Sequence, residues 1–254
     1  MLEIIQLPVL KDNYIYVLHD HSQQQTAVVD PALAEPVIEL LNSKGWHLNY
    51  ILNTHHHNDH TGGNLALKDQ TDCLIMASEF DAKRIPGVDI GLNEGDEFFL
   101  GTSLFKVIST PGHTHGHICY YSPENAALFC GDTLFSLGCG RLFEGSAAEL
   151  WHSLEKIKAL PGTTRIYCAH EYTLANASFA RSVDPDNQDL KNRYQEAIKL
   201  REHGLATVPI ELESELLTNP FLRSDKIHYS SIEGDEGSEI ERFSHLRRLK
   251  DNFI

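Results

Sequence analysis

Thr54-His55-His56-His57-Asn58-Asp59-His60 sets five metal-capable side chains, four of them imidazoles, within seven positions. Neutral imidazole supplies nitrogen, and a carboxylate supplies oxygen that can bridge two cations. Three sites downstream can complete the set: His113 in Pro111-Gly112-His113, Asp132 after Gly131, and His170 before Glu171. Together they offer enough donors for two divalent ions with room left for water. Such a centre makes hydrolysis the expected chemistry.

Working outward, the run follows the apolar Tyr50-Ile51-Leu52, which reads as a buried strand. The chain is therefore expected to stay extended for several residues, with alternate side chains on one face. His55, His57 and Asp59 then converge, while His56 and Asn58 point elsewhere. Gly62-Gly63 permits a tight turn or close packing at the entry to a helix, and His60 at that bend can turn toward a second ion. A histidine-rich surface loop or a single structural zinc is the plainer account. Structural zinc sites are closed and cysteine-rich, however, and this cluster contains no cysteine. The scattered His19, His21, His47, His152, His203, His228 and His245 lack any such spacing and read as ordinary residues.

The chain has 254 residues, 41% hydrophobic and 22% charged, enough for one large domain or a domain with an appendage. A formal net charge of -15 argues against attachment to nucleic acid through phosphate contacts. An anionic small molecule needs only a local basic pocket, so it stays admissible. The start, Met1-Leu2-Glu3-Ile4-Ile5-Gln6, lacks the features of a signal peptide. No apolar run approaches the ~18 residues of a membrane span. Five cysteines, odd in number and without Cys-X-X-Cys spacing, fit small buried hydrophobes in a reduced cytoplasm.

Short apolar runs alternate with polar turns over the first two thirds. Tyr14–Leu18, Ala27–Val29, Tyr50–Leu52, Leu74–Met76, Phe105–Ile108, Ile118–Tyr121, Ala127–Phe129 and Arg165–Cys168 read as strands. Glu35 to Lys44 reads as a helix stopped by Gly45. Ser146-Ala147-Ala148-Glu149 looks like a capping box, opening a helix whose stripe of Leu150, Leu154, Ile157 and Leu160 runs to Pro161-Gly162. Past residue 172 helical spacing takes over, at Asp189 to Glu202, Glu211 to Leu217 and Glu239 to Lys250. The expected division is therefore 1–172 and 173–254, with the acidic stretch Glu233 to Glu241 as a solvated loop.

His55-X-His57-X-Asp59-His60, followed in order by Pro111-Gly112-His113-Thr114, Gly131-Asp132-Thr133 and Ala169-His170-Glu171-Tyr172, resembles the metallo-β-lactamase superfamily. Gly138-Cys139-Gly140-Arg141-Leu142-Phe143-Glu144-Gly145 and the tail Leu246-Arg247-Arg248-Leu249-Lys250-Asp251-Asn252-Phe253 narrow the resemblance to the hydroxyacylglutathione hydrolases, the glyoxalase II family. The resemblance covers essentially the whole chain. It implies an α/β fold, a four-layer αββα sandwich with a C-terminal, mainly helical domain. It also implies that His55, His57 and His113 hold one metal, that Asp59, His60 and His170 hold the other, and that Asp132 bridges them. His115 and His117 are not ligands of the family and are read as supporting or solvent-facing groups. Arg141, Phe143, Tyr172, Arg247 and Lys250 match positions that contact the glutathione part, with Phe143 standing where some members have tyrosine.

Two cations roughly 3.5–4 Å apart can share and deprotonate one water near neutral pH. They can also polarise a carbonyl as its oxyanion forms. A thioester suits such a site, because its thiol has a pKa of about 8.5 and leaves without a strong general acid. Asp59 would both ligate and orient the nucleophile, and Asp132 would hold the two ions together. The reaction the resemblance implies is S-lactoylglutathione plus water giving glutathione and D-lactate, in methylglyoxal removal, with a monomer and two divalent ions expected. Zinc leads for those ions, and iron and manganese accept the same nitrogen and oxygen donors. Rival readings are another hydrolase of this fold such as a lactonase, a glutathione persulfide dioxygenase with one iron, and a metal-binding scaffold without catalysis. Metal count and thioester turnover, measured together, separate them.

Overall fold

The computed structural model describes residues 2–224 and 238–253. These fall into two units: residues up to Ser109 with His115–Gly131, and Thr110–Thr114 with the chain from Asp132 onward.

In the first unit, β1 (Leu2–Val9), β2 (Asn13–Asp20) and β3 (Gln25–Val29) form an antiparallel run. The chain then crosses through α1 (Glu35–Lys44) to β4 (Leu48–Leu52). It crosses again through α2 (Asn58–Thr61) and α3 (Asn64–Thr71) to β5 (Leu74–Ser78), and β6 (Ile90–Leu92) closes the six-stranded sheet. The pairs β3–β4, β4–β5 and β5–β6 are parallel, as helical crossovers require. β2 is buried at all eight positions, which accounts for its near-continuous apolar run. Ile15 and Val17 join Val28, Ile51 and Ile75 in a core with Val37 and Leu41 of α1 and Leu67 of α3.

The opposite face meets a second sheet, in which β7 (Glu97–Leu100), β8 (Ser103–Ser109), β9 (Ile118–Ser122) and β10 (Ala127–Gly131) pair antiparallel in sequence order. Tyr16 packs edge-on against Phe129 with ring centroids 5.7 Å apart. The buried Tyr120 hydroxyl donates to the Asn53 carbonyl at 2.8 Å and to that of Met76 at 3.2 Å. α1 ends at Gly45 in the left-handed conformation (φ 67°), as its sequence requires.

The second unit holds β11 (Leu134–Phe135), β12 (Gly138–Cys139), α4 (Ala147–Lys158) and β13 (Arg165–Cys168). It continues with α5 (Thr173–Val183), α6 (Gln188–Glu202), β14 (Ile210–Glu211), α7 (Leu212–Thr218) and α8 (Glu239–Asp251). Ser146 and Glu149 form the expected capping box, and α4 stops at Lys158, just short of Pro161. Ser238 and Glu241 form a second capping box, so Glu239 and Glu241 sit in the first turn of α8, where the helix dipole favours acids. The expected acidic loop therefore gives way to helix from Glu239. Its first part, Glu233 to Gly237, lies outside the described residues, as does His228. Every expected strand and helix inside the described residues is present. No helix among them is long and apolar enough to cross a membrane.

Candidate metal centre

In the first unit, extended backbone persists only as far as His57 (φ -62°, ψ 144°), where α2 begins. Asp59 therefore lies on a helical turn. The expected alternation through Asp59 is corrected at this point. Close packing explains the early turn: a Cβ on Gly62 would lie 2.6 Å from the Ala32 carbonyl, and Gly62 N–H donates to Asn58 O at 2.9 Å. Before the turn the alternation holds. His55 Nε2 and His57 Nδ1 lie 2.9 Å apart, while His56 turns away to the buried Asp81 at 3.2 Å.

His60 is buried, with Nδ1 3.0 Å from Asp30 Oδ2 and Nε2 3.7 Å from Asp59 Oδ2. Asp30 also accepts from Thr54 N–H at 2.8 Å and from the Thr54 hydroxyl at 2.7 Å. Donor atoms of Asp30, His55 and His60 all fall within 4.8 Å of one another. Both Asp30 oxygens already serve Thr54 and His60. It therefore orients His60 from behind, as carboxylates commonly do for ligating imidazoles. No motif announced Asp30; an aspartate closing an apolar strand is the one signal, and turns use the same residue. His117 is buried and stacks on His55 at 4.9 Å between centroids. His115 is exposed beside Phe80.

The second unit gathers its own donors. His113 Nε2 lies 3.4 Å from Asp132 Oδ2, and His170 Nε2 lies 3.4 Å from Asp132 Oδ1. One carboxylate thus presents an oxygen to each of two imidazoles. Gly112 (φ 147°) lets this happen: a Cβ there would fall 2.5 Å from Leu150 Cβ on α4. His113 Nδ1 meets the Arg141 carbonyl at 2.9 Å, which leaves Nε2 as the nitrogen directed at Asp132. Tyr172 stacks on the His170 ring with centroids 4.7 Å apart and planes 2° apart, and Phe135 packs edge-on at 5.9 Å.

Of the five expected glutathione contacts, Arg141 and Phe143 are exposed and Tyr172 and Lys250 are half-buried. Phe143 rests edge-on against His113 at 5.1 Å. Lys250 sits between the Phe179 and Phe253 rings, 5.5 and 5.7 Å from their centroids. Burial pulls its pKa below the usual lysine value, and the neighbouring Arg247 and Arg141 add to that pull. Arg247 is 3% exposed; it donates to the Cys139 carbonyl at 2.9 Å and pairs with Asp251 at 2.9 Å. Arg247 therefore holds the segment that leads into Arg141. All five cysteines are free and buried; burial pushes the Cys139 thiol to about 11 and the Cys168 thiol to about 12.

A buried and a half-buried imidazole packed nitrogen to nitrogen, with carboxylates close by, suit cations. The donors are nitrogen and oxygen only, which fits zinc, iron or manganese. These His/Asp clusters are compatible with a binuclear metal site. Residues 11–170 match the family described as the Metallo-beta-lactamase superfamily, and 171–253 match the Hydroxyacylglutathione hydrolase C-terminus. A hydroxyacylglutathione hydrolase of Methylococcus capsulatus is 52% identical over 254 residues, covering 100% of this chain and 99% of the relative. The crystal structure of ETHE1 from Myxococcus xanthus superposes with a TM-score of 0.72 at 24% identity, covering 99% of this chain and 92% of that one. TTHA1623, solved in a di-iron-bound form, gives a TM-score of 0.55 at 28% identity over 66% of this chain and 91% of its own. With both family matches and a full-length relative at that identity, the chain belongs to the metallo-β-lactamase superfamily and, within it, to the hydroxyacylglutathione hydrolase family.

Proposed function

We propose that this chain hydrolyses S-(2-hydroxyacyl)glutathione thioesters, S-lactoylglutathione among them, to glutathione and the 2-hydroxy acid. The observation that carries this reading is the 52% identity, over the full length of both chains, to a hydroxyacylglutathione hydrolase. In this reading the seven donors serve one binuclear centre. His55, His57 and His113 hold one ion, Asp59, His60 and His170 the other, and Asp132 both. Asp132's placement between two imidazoles and the di-iron form of TTHA1623 support it.

When bound, two divalent cations supply an acidified water and polarise the acyl carbonyl. Asp59 accepts a hydrogen bond from the attacking water and aims it at that carbon. The glutathione thiolate departs unprotonated, its pKa of about 8.5 requiring no acid from the chain. Lys250 and Arg141 pair with the glutathione carboxylates, Tyr172 and Phe143 flank its backbone, and Arg247 steadies the Arg141 loop. The Asp30 carboxylate holds His60 with Nε2 toward the centre. Five buried free thiols support a reduced, cytoplasmic setting, and we take residues 1–172 as the catalytic part, 173–254 as the substrate-binding part and the monomer as the working form.

Incubating purified protein with S-lactoylglutathione tests the reading. Release of free thiol and lactate, abolished by a chelator and restored by zinc, is the expected result. Intact thioester in the presence of two bound ions would refute it.

A further inference from the structure

Asn13 opens β2, and nothing in the metal motif points to it. The residue is 6% exposed, and its side-chain amide reaches a position 46 residues away. Nδ2 donates to the Asp59 carbonyl oxygen at 3.2 Å and to Asp59 Oδ2 at 3.1 Å. The first bond fixes where the Asp59 backbone lies, and the second fixes which way its carboxylate turns. The amide's base is firm, because β2 is buried along its length and Asn13 is in register with Val9 of β1. The next residue of the same turn is held similarly: Asn53 Nδ2 donates to the His60 carbonyl at 3.0 Å, and Asn64 Nδ2 donates to Asn53 Oδ1 at 2.7 Å.

The kind of donor matters. Lysine or arginine at position 13 would neutralise Asp59 and compete with a cation for it, whereas an amide orients the carboxylate and leaves its charge intact. We propose that Asn13 is a positioning residue for the second metal site, holding the Asp59 carboxylate in its ligating direction. This rests on the proposed centre, in which Asp59 and His60 hold that ion. Partners of ligating groups typically change metal affinity or activity by about 10–100-fold when removed.

The test is a zinc titration of chelator-stripped, full-length wild type and Asn13→Ala against a chromophoric competitor. Thermal unfolding of both apo proteins and thioester kinetics at limiting and saturating zinc accompany it. Wild type is expected to bind two ions. Asn13→Ala is expected to keep the first at wild-type affinity and to bind the second about 10–100-fold more weakly. Its kcat falls at limiting zinc with KM unchanged, and saturating zinc restores kcat. Equal weakening at both sites, or an apo protein that no longer folds, makes Asn13 a structural residue and overturns the proposal. Two sites of wild-type affinity overturn it equally. A wild type holding fewer than two ions contradicts the centre itself, which separates the failure of that reading from the failure of this one.

Discussion

Asp132 is the residue on which the proposed centre turns. Its two oxygens face different imidazoles, so removing it strips a ligand from both proposed ions at once. Asp132→Ala is expected to lose bound metal and more than about 100-fold in kcat together. Elemental analysis and kinetics on one preparation check this, and full activity with normal metal content would refute the shared role. In the proposed reading Lys250 serves the substrate side. Lys250→Ala should raise KM for glutathione thioesters about tenfold, the worth of one charge-assisted hydrogen bond, and leave metal content alone. Its depressed pKa sets a sign as well: the charge proposed to hold a carboxylate is lost as pH rises, at a lower pH than for an ordinary lysine. In alkaline buffers KM of wild type should climb, while that of Lys250→Ala stays flat. The proposed metal ligands stand out in the sequence because histidines at spacing two, followed by Asp-His, are rare. Asp30 and Asn13 do not, since an Asp or Asn beside a strand is the ordinary composition of a turn.

Among the elements, strands and long helices declared themselves by period. Tyr14–Leu18 was readable because both faces of β2 are buried, and the Leu150, Leu154, Ile157 stripe because one face of α4 is. α3 gave no such pattern: it buries Leu67 but leaves Leu65 57% exposed. α2 is a single turn closed by Asn58 and Gly62, which no apolar period can announce. Turns also hold elements together. Asp20, at the end of β2, is fully buried and accepts from Ser22 N–H at 2.9 Å, Gln23 N–H at 2.8 Å and the Thr102 hydroxyl at 2.9 Å. Burial alone would raise its pKa, but these donors together hold it well below the usual carboxylate value. With the folded pKa depressed, the stabilisation is present above about pH 3.8 and lost as pH falls toward the folded value. Asp20→Asn should therefore be less stable than wild type at neutral pH and lose less on acidification. Urea unfolding at pH 7 and pH 3 checks it; parallel curves at both would refute it.

At the scale of the molecule, several residues of the proposed site lie beside strand ends. Asn13 opens β2, the Thr54–His60 run follows β4, and Asp132 follows β10 in the chain. The central claim is that the seven proposed ligands hold one pair of ions that serves to open a glutathione thioester. The most direct measurement is stepwise zinc return to chelator-stripped protein, with S-lactoylglutathione turnover recorded at each step. Turnover that reaches its plateau at two ions per chain is the predicted result. Turnover that is complete without added metal, or absent with both ions bound, would contradict the claim.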